Sequence, residues 1–359
     1  MTNPINGASI ASAPSLPVQF SATKFGYFKL WHVNLLLSIV TLGIYSAWAK
    51  VRNTQYLYGH TQVDGHRLAY LATPLQILRG RFIAVIAFVA LSTIANFFPI
   101  AGLILYGVLL LALPWLIIQG IRFTLHMTAY RNIRFSFTGT YTDALINFIV
   151  LPILSIFTLY LAMPWVMRRI QLFMMNNITF GGEKFSLNTS TGQYYLAALA
   201  AFLLSIAVIA IGAALIFSGV DFTAFKSEDP KASKQLILSI FLPLYGLMFL
   251  TGYLSMALFN AMIRNHVVNN LQVENVARFS SSVKVIPYMW LTVSNAIILI
   301  FTIGLGHPIA LIRKLDYLSK CTQVQVLPKM NELINTVGIT DSAFGEEAAG
   351  LFDADVSLI

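Results

Sequence analysis

Between Arg81 and Arg122 the chain reads FIAVIAFVALSTIANFFPIAGLILYGVLLLALPWLIIQGI, from Phe82 to Ile121, forty positions without one charged side chain. A charge near the centre of a bilayer costs at least about 2.5–3.5 kcal/mol, and one helical crossing takes about 20 residues. The stretch therefore reads as two crossings, with a tight turn in NFFPIAG around Pro99 and Gly102. The rest of the composition agrees. Of 359 residues, 57% are hydrophobic and only 10% are charged, and the mean hydropathy is +0.73. Soluble domains carry about 25% charged residues, so a soluble globular enzyme, a disordered chain and a fibrous repeat are excluded. The expected class is an all-α polytopic membrane protein.

Five further charge-free windows lie outward of this one: Leu30 to Ala49, Ala144 to Met167, Phe185 to Val220, Gln235 to Ile263 and Val285 to Ile312. The fourth and fifth of the six windows flank the loop from Asp221 to Lys234, whose three acids and three bases cancel. They form a second two-crossing hairpin. Of the 23 Lys and Arg residues, only Lys226, Lys231 and Lys234 fall in that loop. If the other basic residues are cytoplasmic, both hairpins run in–out–in and both termini are cytoplasmic. The three remaining windows have cations on both flanks, for example Lys24 and Lys29 before Leu30 and Lys50 and Arg52 after Ala49. Re-entrant or shallow segments would keep both flanks on one side. Four full crossings plus three such segments is the expected topology, and seven crossings is the alternative.

The windows also suggest repetition. TLGIYSAWAKVRNTQYLYGHTQVDG from Thr41 and TIGLGHPIALIRKLDYLSKCTQVQV from Thr302 match at 9 of 25 positions without gaps. A weaker match begins at Thr158. Phe-Ser pairs at Phe20, Phe135 and Phe279 precede the three segments. Asp64-Gly65 and Gly181-Gly182 are favoured hairpin turns. Three parallel repeat units with small cytoplasmic β-hairpins are therefore expected: residues 18–130, 131–274 and a partial unit 275–328. They would lie between a disordered segment 1–17 and a polar acidic tail 329–359. The tail's five acids, Asp341 to Asp355, read as a solvated extension.

YFKLWHVNLLLSIVTLGIYSAWAKVRNTQYLYGHTQVDG, followed by RLAYLATPLQILRGR, resembles the YjgN family of bacterial inner-membrane proteins. The Trp-Ala-Lys-x-Arg helix and the Asp-Gly turn carry the likeness, and YRNIRFSFTGT from Tyr130 resembles the family's second-unit entry. The resemblance implies an inner-membrane location and no established activity. Ile309 stands where the pattern has Trp, and the third unit has no Asp-Gly turn.

Candidate sites are few. Trp48, Arg52, Trp165, Arg169 and Arg313 recur at one end of the aligned segments, as interfacial anchors or anion contacts. His32, Asn34, Asn147, Asn295 and His307 lie in or beside the three repeated windows, as a polar path or as helix-packing groups. The two long hairpins hold no acid or base, and Asn96 and Asn260 are their most polar deep residues. That weighs against coupling to protons or sodium, which relies on intramembrane carboxylates or His. His60, Asp64 and His66 match no firm metal motif, and phosphate-loop, GxSxG and HExxH patterns are absent from the sequence. The single Cys321 excludes an intrachain disulfide. No cofactor, metal or nucleic-acid partner is expected, and the expected partners are membrane lipids. A transporter or pore built from the repeats is the leading functional expectation. A non-catalytic scaffold or anionic-lipid-interacting protein is the alternative, and an enzyme the least expected.

Overall fold

The computed structural model describes residues 14–220 and 230–336. Most of segment 1–17, the greater part of the loop from Asp221 and the acidic stretch Asp341 to Asp355 lie outside the described residues.

Helices dominate, yet the all-α expectation is overturned. Eleven strands among the described residues form one sheet. They are β1 (Ser15–Pro17), β2 (Gln19–Phe20), β3 (Thr61–Val63), β4 (His66–Tyr70), β5 (Thr128–Tyr130), β6 (Ile133–Phe137), β7 (Ile178–Phe180), β8 (Glu183–Leu187), β9 (Leu271–Val273), β10 (Ala277–Ser281) and β11 (Thr322–Val326). Every pair is antiparallel, and from β2 to β11 each strand neighbours the next in sequence. The two edges meet at the N-terminus. β1 pairs with β11, with Leu16 opposite Val324, and β2 pairs with β3, with Phe20 opposite Thr61. Only Val18 separates β1 from β2, and its N–H donates to the Thr322 carbonyl at 3.1 Å. The sheet is thus a nearly closed barrel, which hides the strand edges that would otherwise invite pairing between chains. The expected small hairpins are pieces of this one barrel, and the boundaries at 130/131 and 274/275 fall in its turns.

Left-handed residues make the turns. Asp64 and Gly65 take φ of 48° and 73°, and Gly181 and Gly182 take 58° and 88°. Arg131 and Asn132 do the same at 52° and 66°, although Arg is a poor occupant of that region. The Arg131 guanidinium lies 3.8 Å from the Asp64 carboxylate of the neighbouring turn.

Between strands the chain makes helix pairs: α1 (Lys24–Val40) with α2 (Ser46–Gly59), α3 (Pro74–Phe97) with α4 (Pro99–His126), α5 (Tyr141–Leu145) and α6 (Leu151–Phe157) with α7 (Met163–Asn176), α8 (Thr191–Ser218) with α9 (Pro230–Asn269), and α10 (Val285–Phe301) with α11 (His307–Lys320). A π-helical turn, Ile146–Val150, joins α5 to α6. The order strand, helix pair, strand is thus traversed five times. Every pair leaves the barrel and returns to it, so both of its ends lie on the barrel side.

The pairs differ in length. Among the described residues four helices are long and apolar enough to cross a membrane: α3, α4, α8 and Ile237–Asn269 of α9. At 1.5 Å per residue, α4 spans about 42 Å and α2 about 21 Å. Phe98 alone separates α3 from α4. A Cβ on Gly102 would lie 2.6 Å from Ala95, so only glycine allows that close turn. The shorter pairs turn at Thr41, Thr158 and Thr302. Each threonine hydroxyl donates back to a carbonyl (Leu37, Ser155, Ile298) and accepts the N–H four residues on (Tyr45, Ala162, Gly306). The next two residues have positive φ: Leu42 and Gly43, Leu159 and Tyr160, Ile303 and Gly304. Leu42 and Ile303 are over 90% exposed at these tips.

The barrel has the opposite polarity. Tyr130, Ile133, Phe180, Val273, Val276, Ala277 and Val324 are buried in its centre, with Leu68, Phe135, Phe185 and Phe279 packed on them. Phe135 meets Phe180 at a tilt (4.9 Å between centroids) and Phe185 lies nearly parallel to Phe279 (6.1 Å). Residues 329–336 form a last helix, α12, which seats Met330 and Leu333 in the same core. Lys329 pairs with Glu183 beside the Gly181–Gly182 turn at 2.7 Å. Arg67, Arg134, Lys184 and Arg278 hold the second position of β4, β6, β8 and β10, one residue off the inward-facing Leu68, Phe135, Phe185 and Phe279, so they stand on the outer wall.

Candidate functional site

In four of the pairs the second helix is tied to the end of the second strand that follows it, or to the loop just beyond that strand. Gln55 of α2 donates to the Tyr70 carbonyl (3.3 Å), Arg122 of α4 to Gly139 (3.0 Å), Arg168 of α7 to Thr189 (2.7 Å) and Asn265 of α9 to Val283 (2.8 Å). These bonds fix the rotation of each helix over the barrel rim. They satisfy carbonyls that would otherwise be left without a donor at the change from strand to helix.

α7, α9 and α11 border an open cavity of about 480 Å³ with Tyr288 and Leu271. Asn260, Ile263, Arg264, Val267 and Val268 of α9 supply one wall, a spacing of three and four that puts them on one helical face, and Leu271 at the start of β9 continues it. Gln171 and Met175 supply another, and Lys314 and Leu318 a third. The Arg264 guanidinium donates to Thr322 Oγ1 at 3.1 Å, while its buried Nε has no hydrogen-bond partner among the described residues. The Tyr194 hydroxyl donates to Gln171 Oε1, which turns the donor end of that amide away from Tyr194. No carboxylate lines the cavity. Two cations, two amides and a phenol set in aliphatic walls suit the anionic end of an amphipathic ligand.

The sequence-predicted residues are spread out. Among the proposed anchors, Arg52 is exposed and donates to the Tyr45 hydroxyl (2.7 Å), and Tyr45 stacks on Trp48. Trp165 and Arg169 are exposed on α7. Arg313 is held inside its own pair, donating to Asn295 Oδ1 (2.7 Å) and Ser294 Oγ (2.8 Å). Within the proposed polar path, Asn34 is fully buried and donates to Asn53 Oδ1 (2.8 Å). Asn295 donates to the Ala310 carbonyl (3.0 Å). Asn147 donates to the Asp143 carbonyl within its own helix, and its buried Oδ1 has no partner. His32 packs on Phe28, and Trp31 brings His307 of α11 against α1. Each asparagine is thus bonded within its own helix pair. His60 lies against the Tyr56 carbonyl and Asp64 faces Arg131. Among the described residues no group of three metal-ligating side chains converges.

Sequence reasoning noted Asn260 and passed over Arg264, Lys314 and Gln171. Arg264 ends the charge-free window at Ile263, and so reads as a boundary cation. The available signal was its helical spacing with Asn260, Val267 and Val268.

Comparison with known proteins places the chain. "Inner membrane protein YjgN" of Escherichia coli O157:H7 is 24% identical over 356 residues, covering 86% of this chain and 88% of its own. The protein of the same name in E. coli K12 gives the same figures. That of Salmonella typhimurium LT2 is 26% identical over 344 residues, covering 83% and 86%. No solved structure matches. A family profile described as "Bacterial protein of unknown function (DUF898)" matches residues 15–351; with four apolar helices of membrane-spanning length, the chain is a membrane protein and belongs to the DUF898 family.

Proposed function

We propose that the protein is a non-catalytic, multi-pass inner-membrane protein that gathers anionic lipid around the rim of its barrel. The observation that carries this reading is where the helical cations sit. Lys24, Lys29, Lys50, Arg52, Arg79, Arg81, Arg122, Arg168, Arg169, Arg264, Arg313, Lys314 and Lys320 lie within nine residues of the barrel end of their helices, and only Lys231 and Lys234, at the far end of α9, stand apart among the cations of the described helix pairs. The tips of the three shorter pairs present Leu42, Leu159 and Ile303. Such a collar, with apolar tips beyond it, matches a headgroup layer next to hydrocarbon. It supports a cytoplasmic barrel, cytoplasmic termini, four full crossings and three pairs that enter the bilayer partway.

The five strand–helix pair–strand segments are, in this reading, equivalent modules. Tyr27, Ile77, Ala144, Tyr194 and Tyr288 are buried four residues after the helix-capping positions Thr23, Thr73, Thr140, Ser190 and Lys284. The aromatic filling of the barrel, with Met330 and Leu333 added from α12, favours this reading over a pore along the barrel axis.

The test is lipid retention. The full chain, purified in mild detergent, is mixed with vesicles of phosphatidylglycerol and phosphatidylcholine or of phosphatidylcholine alone. Preference for the anionic vesicles, reduced in Arg52→Ala plus Arg169→Ala, is the expected result. Unchanged lipid preference in that double variant refutes the collar.

A further inference from the structure

We infer that the cavity between α7, α9 and α11 is a binding site for one phosphate-bearing lipid, its headgroup lowered onto Arg264. The inference deepens the lipid-collar reading and rests on it for the membrane setting; of the collar's cations it concerns Arg264 and Lys314, not Arg52 or Arg169.

Burial of a guanidinium without a carboxylate is costly unless some other group supplies the acceptors. Among the described residues Arg264 has one protein acceptor, Thr322 Oγ1, and that hydroxyl already donates to the Leu318 carbonyl (2.7 Å). Its buried Nε has none. The nearest chain segments offer aliphatic groups, the Tyr288 phenol and a second cation, Lys314. A phosphate oxygen pair would complete the guanidinium's fork, and the Lys314 ammonium would meet the remaining charge as a point contact. Asn260 and Gln171 could then donate to glycerol or ester oxygens.

The walls decide between a free anion and a lipid. Met175, Ile263, Val267, Val268, Leu271 and Leu318 give an aliphatic lining that hydrated inorganic phosphate would not use. At about 480 Å³ the cavity lies in the usual range for small-ligand pockets, enough for a headgroup and the first carbons of its chains. The remaining acyl length needs an exit into hydrocarbon. In this reading it runs past the tips of α7 and α11, which with 14 residues each are less than half as long as the 33-residue apolar span of α9.

The experiment is native mass spectrometry of the full chain in detergent, titrated with short-chain phosphatidylglycerol, glycerol phosphate or inorganic phosphate. The wild type should hold one phosphatidylglycerol per chain. Arg264→Gln, which keeps a donor for Thr322, should lower that affinity about ten- to a hundredfold. Lys314→Gln, at an exposed position, should lower it by a smaller factor. Arg52→Ala plus Arg169→Ala should leave it unchanged. A loss of vesicle preference in the arginine pair with the single lipid retained would support both readings. Unchanged vesicle preference with loss of the single lipid in Arg264→Gln would refute the collar and support the cavity. Equal binding by wild type and Arg264→Gln, no uptake of phosphatidylglycerol, or equally strong displacement by inorganic phosphate would overturn the inference.

Discussion

The barrel and the helix layer are built from one chain with opposite polarity. In the barrel, Phe135, Phe180, Phe185 and Phe279 face inward and Arg67, Arg134, Lys184 and Arg278 stand on the outer wall. In the helices the order is reversed: windows of the long helices are 6% to 11% buried, and their apolar side chains face outward. The difference shows what surrounds each part. A barrel with a polar wall and an apolar centre is stable in water. A helix that is apolar all round needs lipid or protein against it. The change occurs within a few residues at the barrel rim, where Gln55, Arg122, Arg168 and Asn265 hold the loops.

This contrast can be broken from either side. The largest effect should come from the barrel centre: Phe180→Ala, at 3% exposure, should cost about 3–5 kcal/mol in denaturant unfolding followed by strand-region circular dichroism. Next comes a tip. Leu42→Arg places a charge where the surroundings are read as hydrocarbon and should cost about 2.5–3.5 kcal/mol in bilayers. Its melting temperature in nanodiscs should fall further below wild type than in detergent, and equal shifts would place the tip outside the core. Leu333→Ala should cost about 2 kcal/mol and speed proteolysis of the C-terminal segment, without altering helix content.

A smaller effect concerns pH. Burial pushes the Tyr130 phenol above its ordinary value of 10.0, with the Asp64 charge adding to this and Arg131 opposing it; burial, with Tyr58 adding, raises Tyr70 in the same direction. A raised pKa means that the folded barrel holds the proton more tightly than the unfolded chain. The stabilisation is complete below about pH 10 and fades as pH rises through the folded value. Melting scans from pH 8 to 11 should show that decline, and Tyr130→Phe should flatten it while losing the bond to the Val63 carbonyl.

The four long helices, the turn at Phe98 and Pro99, the Asp64–Gly65 and Gly181–Gly182 turns and the cations beside the apolar windows were all legible. Each depends on local chemistry: absence of charge, or a residue tolerant of positive φ. The Arg131–Asn132 turn was not, because Arg gives no such signal. Strands of two to five residues carry too little alternation to announce themselves, and their partners stand beyond whole helix pairs: Leu68 pairs with Tyr130, and Phe185 with Val273.

By itself the sequence determined the solvent of each segment, since transfer of a charge or an apolar side chain is priced residue by residue. Only the tertiary structure decided that Ser15–Phe20 closes a sheet whose last strand comes some three hundred residues later, and that Arg264, Gln171 and Lys314 share one cavity. Those are juxtapositions set by barrel closure and helix rotation, and no local preference encodes them.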